Sequence, residues 1–326
     1  MNKIEFSEIN GVVKIGGGSQ AHIYRIPAGS LYKTDVALKK YKNKHLSGNE
    51  AAIESYLDEL ISIKKRMSND YKTILDQYTT WPVKIVYEKG KACGYIMHLI
   101  PDMFFTNMNI PLSGTEKMLS SLDFILHGSK FRADNNLPRI SDKGMARVIY
   151  FLLKVLAILH EENIILGDLS PSNVLVYIDS QNQSNNRVLF IDTDSFRILG
   201  NTHPLKQLHT PEWVPPECQP AQDELNRLPD NADSHIKASL EIMKNMQNKA
   251  TDVYKICLAI TRLYHEGEHP SSIIFSTSAQ EKLAKKIDVE FSDKVVSGLS
   301  DNPKQRPTIN MLYECLINAL SRKVNK

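Results

Sequence analysis

The segment 145–162 is the feature that most constrains the fold, because apolar residues cover almost the whole circumference of the helix that it predicts. Such a helix must be surrounded by protein, and 326 residues with 42% apolar side chains are enough to build a core around it. The longest apolar run, 148–159, contains Lys154 and is too short to cross a bilayer. The sequence therefore predicts a globular protein with a large helical core.

The first hundred residues have a different hydrophobic period and predict a small antiparallel sheet with one main helix. Short strand-like runs occur at 12–15, 23–26, 36–41, 83–87 and 92–99. Apolar residues recur at helical spacing over 50–67. We interpret 1–100 as one compact lobe and 101–326 as a larger, mainly helical lobe, which together make an α+β fold.

Helical patterns dominate the second lobe. They cover 145–162, 252–265 and 308–321. The polar stretch 179–187 predicts a hairpin tip, and 219–249 predicts a surface insertion with some helix of its own, which we interpret as a partner or regulatory surface. Leu240, Met243 and Met246 recur at helical spacing in that insertion, and we expect them to form its packing face.

Charge and cysteine usage exclude several classes of protein. Forty basic and thirty-seven acidic residues leave a net charge of +3, which gives no argument for a nucleic-acid or membrane partner. The four cysteines form no CxxC pair, so the sequence predicts neither a disulfide framework nor a cysteine-rich zinc site. The N-terminal residues do not resemble a secretory signal. We expect a cytoplasmic protein, although delivery into a host cell by a specialised secretion system would leave no mark in the sequence.

A glycine cluster between the first two predicted strands is the first candidate binding element. In IGGGSQAHIYRI, the absence of a Cβ atom at Gly16 and Gly18 would let backbone amides approach a phosphate group. A glycine run between strands is more often an ordinary hairpin, and this motif taken alone favours that interpretation.

Lys39 lies in the following strand, VALKKY. Strand alternation puts Ala37 and Lys39 on one face and Lys40 on the other, so one lysine can face a cleft while the next faces solvent. A lysine held by a glutamate is a cation suited to the inner phosphates of a nucleotide. Glu54 and Glu59 on the predicted helix are the available partners, and we prefer Glu59.

Two carboxylate sites follow apolar elements. In LGDLSPSNVLV, Asp168 precedes Asn173 by five positions in a loop after the 145–162 helix. In LFIDTDSF, Asp192 follows an apolar strand, where a carboxylate is costly unless it is paired or bound to a cation. A carboxylate that holds an acceptor hydroxyl and oxygen ligands that hold Mg²⁺ are the requirements of phosphoryl transfer.

Taken in order, these motifs resemble the protein-kinase superfamily over nearly the whole chain, from about 12 to 320. The series is the glycine cluster, VALK, an acidic helix, DLSPSN, DTD, HTPEWVPPE, DVYKICLAI and KQRPT. The GDLSPSN and DTDSF motifs are closest to those of bacterial stand-alone kinases. The resemblance implies a bilobal kinase-like fold, ATP with Mg²⁺ or Mn²⁺, a protein Ser/Thr substrate of unknown identity, and the capacity for autophosphorylation.

The resemblance also implies a role for each matching residue. Asp168 would orient the acceptor hydroxyl or take its proton, Asn173 and Asp192 would bind the metal ion, and Lys39 would hold the α- and β-phosphates. His98 and Leu99 would belong to the hinge that links the lobes. The residues implied around the nucleotide are Ile15, Gly16, Gly18, Ile23, Ala37, Glu59, Met97, His98, Leu99 and Leu175.

The segment after the DTD motif distinguishes kinds of kinase. Phosphotransferases of the aminoglycoside or choline type share the GDLxPxN loop, but they do not usually carry the downstream motifs together. Thr210 and Trp213 therefore favour a protein acceptor. Glu217 would pair with Arg306, and Asp252 would hold the catalytic loop by its backbone amides.

The departures from the family pattern keep an alternative open. Gly167 replaces an arginine, Ser170 a lysine and Ala21 a glycine, while Thr193 and Asp194 replace Phe-Gly. Without that arginine, phosphorylation of the activation loop is not the expected switch. These changes motivate a nucleotide-binding pseudokinase scaffold as the alternative function.

One competing motif is HEGEH, residues 265–269, which matches the zinc-protease pattern HExxH. That mechanism needs both histidines on one helical face, whereas Gly267 and Pro270 predict a helix end and a turn. We expect no zinc site there, and we interpret His203 and His209 as solvated loop residues.

Overall fold

The computed structural model describes residues 3–29, 31–46, 48–110, 113–205, 208–229, 231–265 and 276–324. The chain divides into two compact units, Met1–Asp102 with Leu189–Lys206, and Met103–Val188 with Gln207–Lys326. The sequence predicted a single boundary between the two lobes at residue 100. The observed division differs because Leu189–Lys206, which carries Asp192, belongs to the first unit.

The first unit contains a six-stranded sheet in the order β1-β5-β6-β4-β3-β2. Its strands are β1 Lys3–Glu5, β2 Val13–Gly17, β3 Ala21–Ile26, β4 Val36–Tyr41, β5 Lys84–Glu88 and β6 Lys91–His98. The sequence predicted an antiparallel sheet, but the sheet is mixed. β1 pairs with β5 in parallel, while the other neighbouring strands are antiparallel. β1 has three residues, too few to show an alternating pattern in the sequence.

Helices α1 Asn43–Leu46, α2 Glu50–Arg66 and α3 Asn69–Tyr78 complete the first unit. The predicted helix over 50–67 is confirmed by α2, which buries an apolar stripe that includes Ile53, Leu57 and Leu60. α3 was not predicted. It begins after Ser68, whose hydroxyl accepts the Tyr71 N–H and caps the helix.

The second unit is mainly helical. Its helices are α4 Leu122–Leu126, α5 Ser129–Asp134, α6 Asp142–Glu161, α7 Gln219–Arg227, α8 Ser234–Lys244, α9 Lys249–Tyr264, α10 Thr277–Lys286, α11 Val289–Gly298 and α12 Ile309–Val324. α6 confirms the predicted core helix and packs against α9 and α12. Its side chains at Leu152, Val155 and Leu159 have no solvent exposure. Within the described ranges, no helix is long and apolar enough to span a bilayer.

The remaining strands are β7 Phe105–Ile110, β8 Gly114–Leu119, β9 Ile164–Ile165, β10 Val174–Tyr177, β11 Arg187–Phe190 and β12 Arg197–Ile198. β7 and β8 form an antiparallel hairpin that the sequence did not predict. None of their residues is fully buried, so the hairpin has no core-facing side to impose an apolar alternation on its sequence.

The predicted insertion over 219–249 contains α7 and α8, which pack against each other. Leu240 is buried as expected, but Met243 and Met246 are 53% and 40% exposed, so the predicted packing face is wrong for these two residues. For Met243, the reason is that α8 lies mainly against one short neighbour, which covers a narrower stripe than a core helix would bury. Met246 lies beyond the end of α8.

All four cysteines are buried and none is in a disulfide, as the sequence predicts. Burial raises the pKa of Cys93 and of Cys218 to about 11. It also raises the pKa of Cys257 and of Cys315 above the ordinary value of a thiol.

Candidate functional site

Lys39 occupies the centre of the sheet in the first unit. On β4 it lies opposite Ile23 of β3 and Tyr95 of β6, and it is only 5% exposed. Lys40 points to the other face and donates to Glu88 at 2.7 Å. The alternation of the strand therefore separates the two lysines as the sequence predicted.

A buried carboxylate holds Lys39 in place. Lys39 Nζ donates to Asp194 Oδ1 at 2.7 Å, and the hydroxyls of Tyr95 and Tyr41 donate to Oδ1 and Oδ2 of the same residue, each at 2.7 Å. Burial pushes the pKa of Asp194 upward, but the Lys39 ammonium and the hydroxyl donors outweigh it and bring that pKa below its usual value. Burial lowers the pKa of Lys39, and the carboxylates of Asp194 and Asp192 more than reverse that effect. Both partners are therefore charged.

The expected pairing of Lys39 with a glutamate of α2 is wrong. Glu59 Oε2 instead accepts the Asn201 side-chain amide at 3.0 Å, and Glu54 Oε1 accepts Lys3 Nζ at 2.6 Å. The physical reason is that Asp194 offers a carboxylate with two further buried hydroxyl donors, so its charge is better compensated next to Lys39.

Asp192 is far more exposed to solvent than Asp194. Its side chain is 50% exposed, and its Oδ1 atom lies 3.4 Å from Lys39 Nζ. The backbone there is left-handed, with φ 56° and ψ 40°, and the next residue is pinned because Thr193 Oγ1 donates to the Thr80 carbonyl oxygen at 2.9 Å. Left-handed non-glycine residues cost about 1 kcal/mol or more and often occur at functional sites.

The charges around Asp192 suit a further cation. Lys39, Asp192 and Asp194 sum to one net negative charge, and Asp192 is the more exposed carboxylate. Carboxylate oxygen is a ligand that Mg²⁺ prefers. Among the residues that the structure describes, no group of three or more His, Cys, Asp and Glu side chains is arranged to hold a metal ion by itself.

The glycine cluster lies at the end of β2, all of whose residues are exposed, including Ile15 at 51%. A Cβ atom added at Gly16 or Gly18 would meet nothing within 4 Å, so the structure itself does not demand glycine at these two predicted positions. It demands glycine at Gly17, where φ is +156° and a Cβ atom would lie 2.8 Å from the Ala21 carbonyl oxygen. Three consecutive glycines in a sequence cannot reveal which one the turn requires.

The other residues predicted around a nucleotide divide between the units. In the first unit, Ala37 and Met97 are buried opposite each other on β4 and β6, and Leu99 and Ile23 pack partly on the same core. His98 ends β6, is exposed, and lies 3.6 Å from Asp76. The second unit contains Asp168, Asn173 and Leu175, of which Leu175 is completely buried on β10.

The loop after β9 brings Asp168 and Asn173 together in the second unit. Asp168 Oδ1 accepts the Thr210 hydroxyl at 2.9 Å. The side-chain amide nitrogen of Asn173 donates to the Asp168 carbonyl oxygen at 3.2 Å. The side-chain oxygen of Asn173 therefore points away from that carbonyl group. Ser170 Oγ accepts the Ser172 N–H and caps the turn Pro171–Asn173. Asp168 therefore holds a threonine hydroxyl in a loop whose backbone is fixed.

Two buried charged residues of α9 bind the backbone of this loop. Asp252 Oδ2 accepts the Leu166 N–H at 2.8 Å and lies 3.1 Å from His160 Nε2. Lys255 Nζ donates to the Gly167 carbonyl oxygen at 2.8 Å. Burial lowers the pKa of Lys255, and the carboxylates of Asp252 and Asp168 oppose that effect in part. Sequence reasoning missed Lys255, although a lysine inside the apolar run VYKICLAI is a signal of a buried cation.

Gly167, which stands where the family pattern has an arginine, has a backbone conformation that favours glycine. Its φ angle is +72°, a left-handed conformation that favours glycine. This conformation accompanies the carbonyl contact with Lys255. The cation that supports the loop thus comes from α9 and not from the loop itself.

Replacing Lys255 by Met is expected to lower the free energy of unfolding by about 1–3 kcal/mol, because the Gly167 carbonyl would lose its buried donor. Urea denaturation measures the change. The matched control is Lys285→Met at an exposed position of α10, for which we expect a change within about 0.5 kcal/mol. Equal unfolding midpoints for the two variants would contradict the assigned role of Lys255.

An ion pair anchors the segment that carries Thr210. Arg306 donates to both carboxylate oxygens of Glu217, at 2.8 and 2.6 Å, as the family resemblance implied. Its guanidinium also donates to the carbonyl oxygens of Ala250 and Ser300. Trp213 is buried, and Arg262 lies over its ring at 4.5 Å from the centroid.

Three histidines that the sequence singled out can now be located. His203 is not a solvated loop residue. It is partly buried, with Nε2 2.9 Å from the Asp194 carbonyl oxygen and its ring edge-on to Tyr56. His209 Nε2 lies 3.1 Å from the Met246 carbonyl oxygen. α9 ends at Tyr264, and His265 is extended, while residues 266–269 of the HEGEH motif lie outside the described residues.

Comparisons with known proteins do not assign this chain to a family. Neither the models of protein families nor the curated proteins give a match to this chain. The assignment of a function therefore rests on the side chains described above.

Proposed function

We propose that this chain is a protein kinase of bilobal fold that transfers the γ-phosphoryl group of MgATP to Ser or Thr hydroxyls of a protein. The observation that carries the proposal is the 3.4 Å approach of Lys39 Nζ to Asp192 Oδ1. These residues belong to motifs far apart in the sequence, and the family resemblance assigns both motifs to the same triphosphate. A chance pair of motifs has no reason to meet in the folded chain.

The first unit would supply the nucleotide side of the reaction. The Lys39 ammonium has three N–H donors, and one of them is committed to Asp194, so donors remain for the α- and β-phosphate oxygens. In this unit Asp192 would supply oxygen atoms for Mg²⁺ or Mn²⁺, and the ion would neutralise charge on the phosphates. The family resemblance assigns Asn173 of the second unit to the same ion. The exposed face of β2 leaves its backbone open to a ligand.

The second unit would supply the acceptor side. Asp168 already accepts a hydrogen bond from the hydroxyl of Thr210, so a substrate hydroxyl in the same position would have its proton directed at the carboxylate. The acceptor oxygen would attack the γ-phosphorus, the proton would pass to Asp168, and the bond to the leaving oxygen of ADP would break. The family resemblance makes this segment the platform for an acceptor peptide, and the buried Trp213 and the Glu217–Arg306 pair would hold it in place.

One observation favours a nucleotide-binding scaffold as the second candidate. Ser170, which replaces the lysine of the family pattern, uses its hydroxyl to cap its own turn, so it offers no cation to the γ-phosphate. A scaffold would bind nucleotide without transferring phosphate.

Phosphoryl transfer by the purified chain tests the proposal. We expect label from γ-phosphate-labelled ATP to enter protein substrates in the presence of Mg²⁺ or Mn²⁺, and Asp192→Asn to reduce metal-dependent ATP affinity by about 10–100-fold in calorimetry. Glu88→Gln, which removes a carboxylate on the Lys40 side of the sheet, is the control and should match the wild type.

Each other outcome has a definite meaning. Nucleotide binding without transfer to any of a broad protein panel would favour the scaffold. Transfer to aminoglycoside or choline acceptors alone would favour a small-molecule phosphotransferase. Absence of nucleotide binding by the wild type would refute both kinase and scaffold.

A further inference from the structure

Asp194 is the most fully compensated carboxylate near Lys39. Its two oxygens accept three hydrogen bonds, from Lys39, Tyr41 and Tyr95, all at 2.7 Å, and its side chain is 4% exposed. A buried carboxylate with this many donors has a fixed orientation, because rotation would leave donors unpaired in a site from which water is excluded. Lys39 is therefore held by a rigid acceptor.

Helix α2 is engaged elsewhere. Glu59 accepts from Asn201, and Tyr56 OH contacts the Phe196 carbonyl oxygen and accepts the Ile198 N–H at 3.1 Å. The polar side chains of α2 that face the segment after Asp194 thus bind that segment rather than Lys39. No carboxylate of α2 has a hydrogen bond or ion pair with Lys39 within the described part of the unit.

The turn that carries Asp194 also carries Asp192. The two residues flank Thr193, whose side chain is fully buried and bonded to the Thr80 carbonyl oxygen. The Thr80 N–H in turn donates to the Phe190 carbonyl oxygen at 2.9 Å, just before the turn. These hydrogen bonds fix the backbone turn that carries both the exposed carboxylate of Asp192 and the buried carboxylate of Asp194.

We propose that Asp194 is the residue that positions Lys39 for the nucleotide, in place of a glutamate of α2. This inference rests on the proposed kinase function and specifies how its site is regulated. A displacement of the turn 192–194 would remove the metal ligand and the lysine anchor together. A displacement of α2 would break none of the hydrogen bonds and ion pairs described for Lys39.

The test compares two changes of carboxylate to amide. Asp194→Asn is expected to raise KM for ATP and to lower kcat/KM by about 10–100-fold, the usual cost of losing a group that orients a binding residue. Glu59→Gln and Glu54→Gln are the matched controls and should change both parameters by less than about twofold. Asp194→Glu restores the charge and should recover part of the affinity, which a loss of folding alone would not predict.

A second variant covers the case in which Asp194→Asn does not fold, as judged by the loss of cooperative thermal unfolding. The double variant Tyr41→Phe with Tyr95→Phe keeps the carboxylate and removes two of its donors. We expect it to raise KM for ATP with a smaller effect on kcat. An unchanged KM for ATP in this variant would overturn the inference.

Failure of the inference is distinguishable from failure of the proposed function. A wild type that neither binds ATP nor transfers phosphate contradicts the function. A wild type that does both, with Glu59→Gln impaired and Asp194→Asn normal, overturns the inference and leaves the function standing.

Discussion

Asp168→Asn is expected to lower the rate of phosphoryl transfer by about 10²–10⁴-fold, the usual contribution of a positioned general base. The amide has nearly the shape of the carboxylate but cannot take the proton of an acceptor hydroxyl such as that of Thr210. Because Asp168 is not assigned to nucleotide binding, calorimetry should give the same affinity for MgATP in the variant and the wild type. Single-turnover kinetics with labelled ATP would measure the change in rate.

The control for this experiment is Asp293→Asn on an exposed position of α11 in the same unit. It makes the same chemical change far from the loop in sequence and should retain the wild-type rate. Equal rates for Asp168→Asn and the wild type would remove Asp168 from the reaction. Reduced ATP affinity in Asp168→Asn would mean that its role is binding rather than proton transfer.

Arg306→Leu is expected to lower the free energy of unfolding by about 3–5 kcal/mol, because it leaves Glu217 without its counter-charge. The Arg306 side chain is completely buried, and that of Glu217 is 11% exposed. The carbonyl oxygens of Ala250 and Ser300 would lose their donor as well. A loss of this size is a large part of the 5–15 kcal/mol typical of a folded domain.

Arg322→Leu is the matched control for the second prediction. Arg322 pairs with Asp288 at 3.1 Å, but its side chain is 53% exposed, so the change should cost about 1 kcal/mol or less. The double variant Arg306→Leu with Glu217→Leu should recover stability relative to Arg306→Leu, because no unpaired charge remains. Chemical denaturation of the wild type, the two single variants and the double variant measures these free energies of unfolding. Equal losses of stability for Arg306→Leu and Arg322→Leu would contradict the prediction.

Most of the elements that were predicted bury at least one face, and β2, all of whose residues are exposed, is an exception. β4 has the predicted bounds, and α2, α6 and α9 lie within a few residues of theirs, because burial imposed a readable period on their sequences. The hairpin of β7 and β8 has no fully buried residue and so gave no such signal. In α8, the spacing of Met243 suggested burial, but this residue is 53% exposed.

The candidate site shows a similar division. Local spacing was sufficient to predict that Asp168 and Asn173 share one loop, and the family resemblance implied the pairing of Glu217 with Arg306. The partner of Lys39 was not predictable in this way, because the choice between Asp194 and Glu59 depends on two tyrosine hydroxyls contributed by other strand positions. Lys255 was missed for a related reason: its acceptor is a backbone carbonyl, which leaves no mark on side-chain identity.

The inaccessible thiols of Cys93, Cys218, Cys257 and Cys315 have a practical consequence. Maleimide dyes react with exposed thiolates, and burial with a raised pKa removes both conditions at all four positions. A single cysteine introduced on the surface of each unit would therefore accept a fluorophore selectively in the otherwise natural sequence. Energy transfer between two such dyes would then report, in solution and with or without ATP, whether the two units open and close.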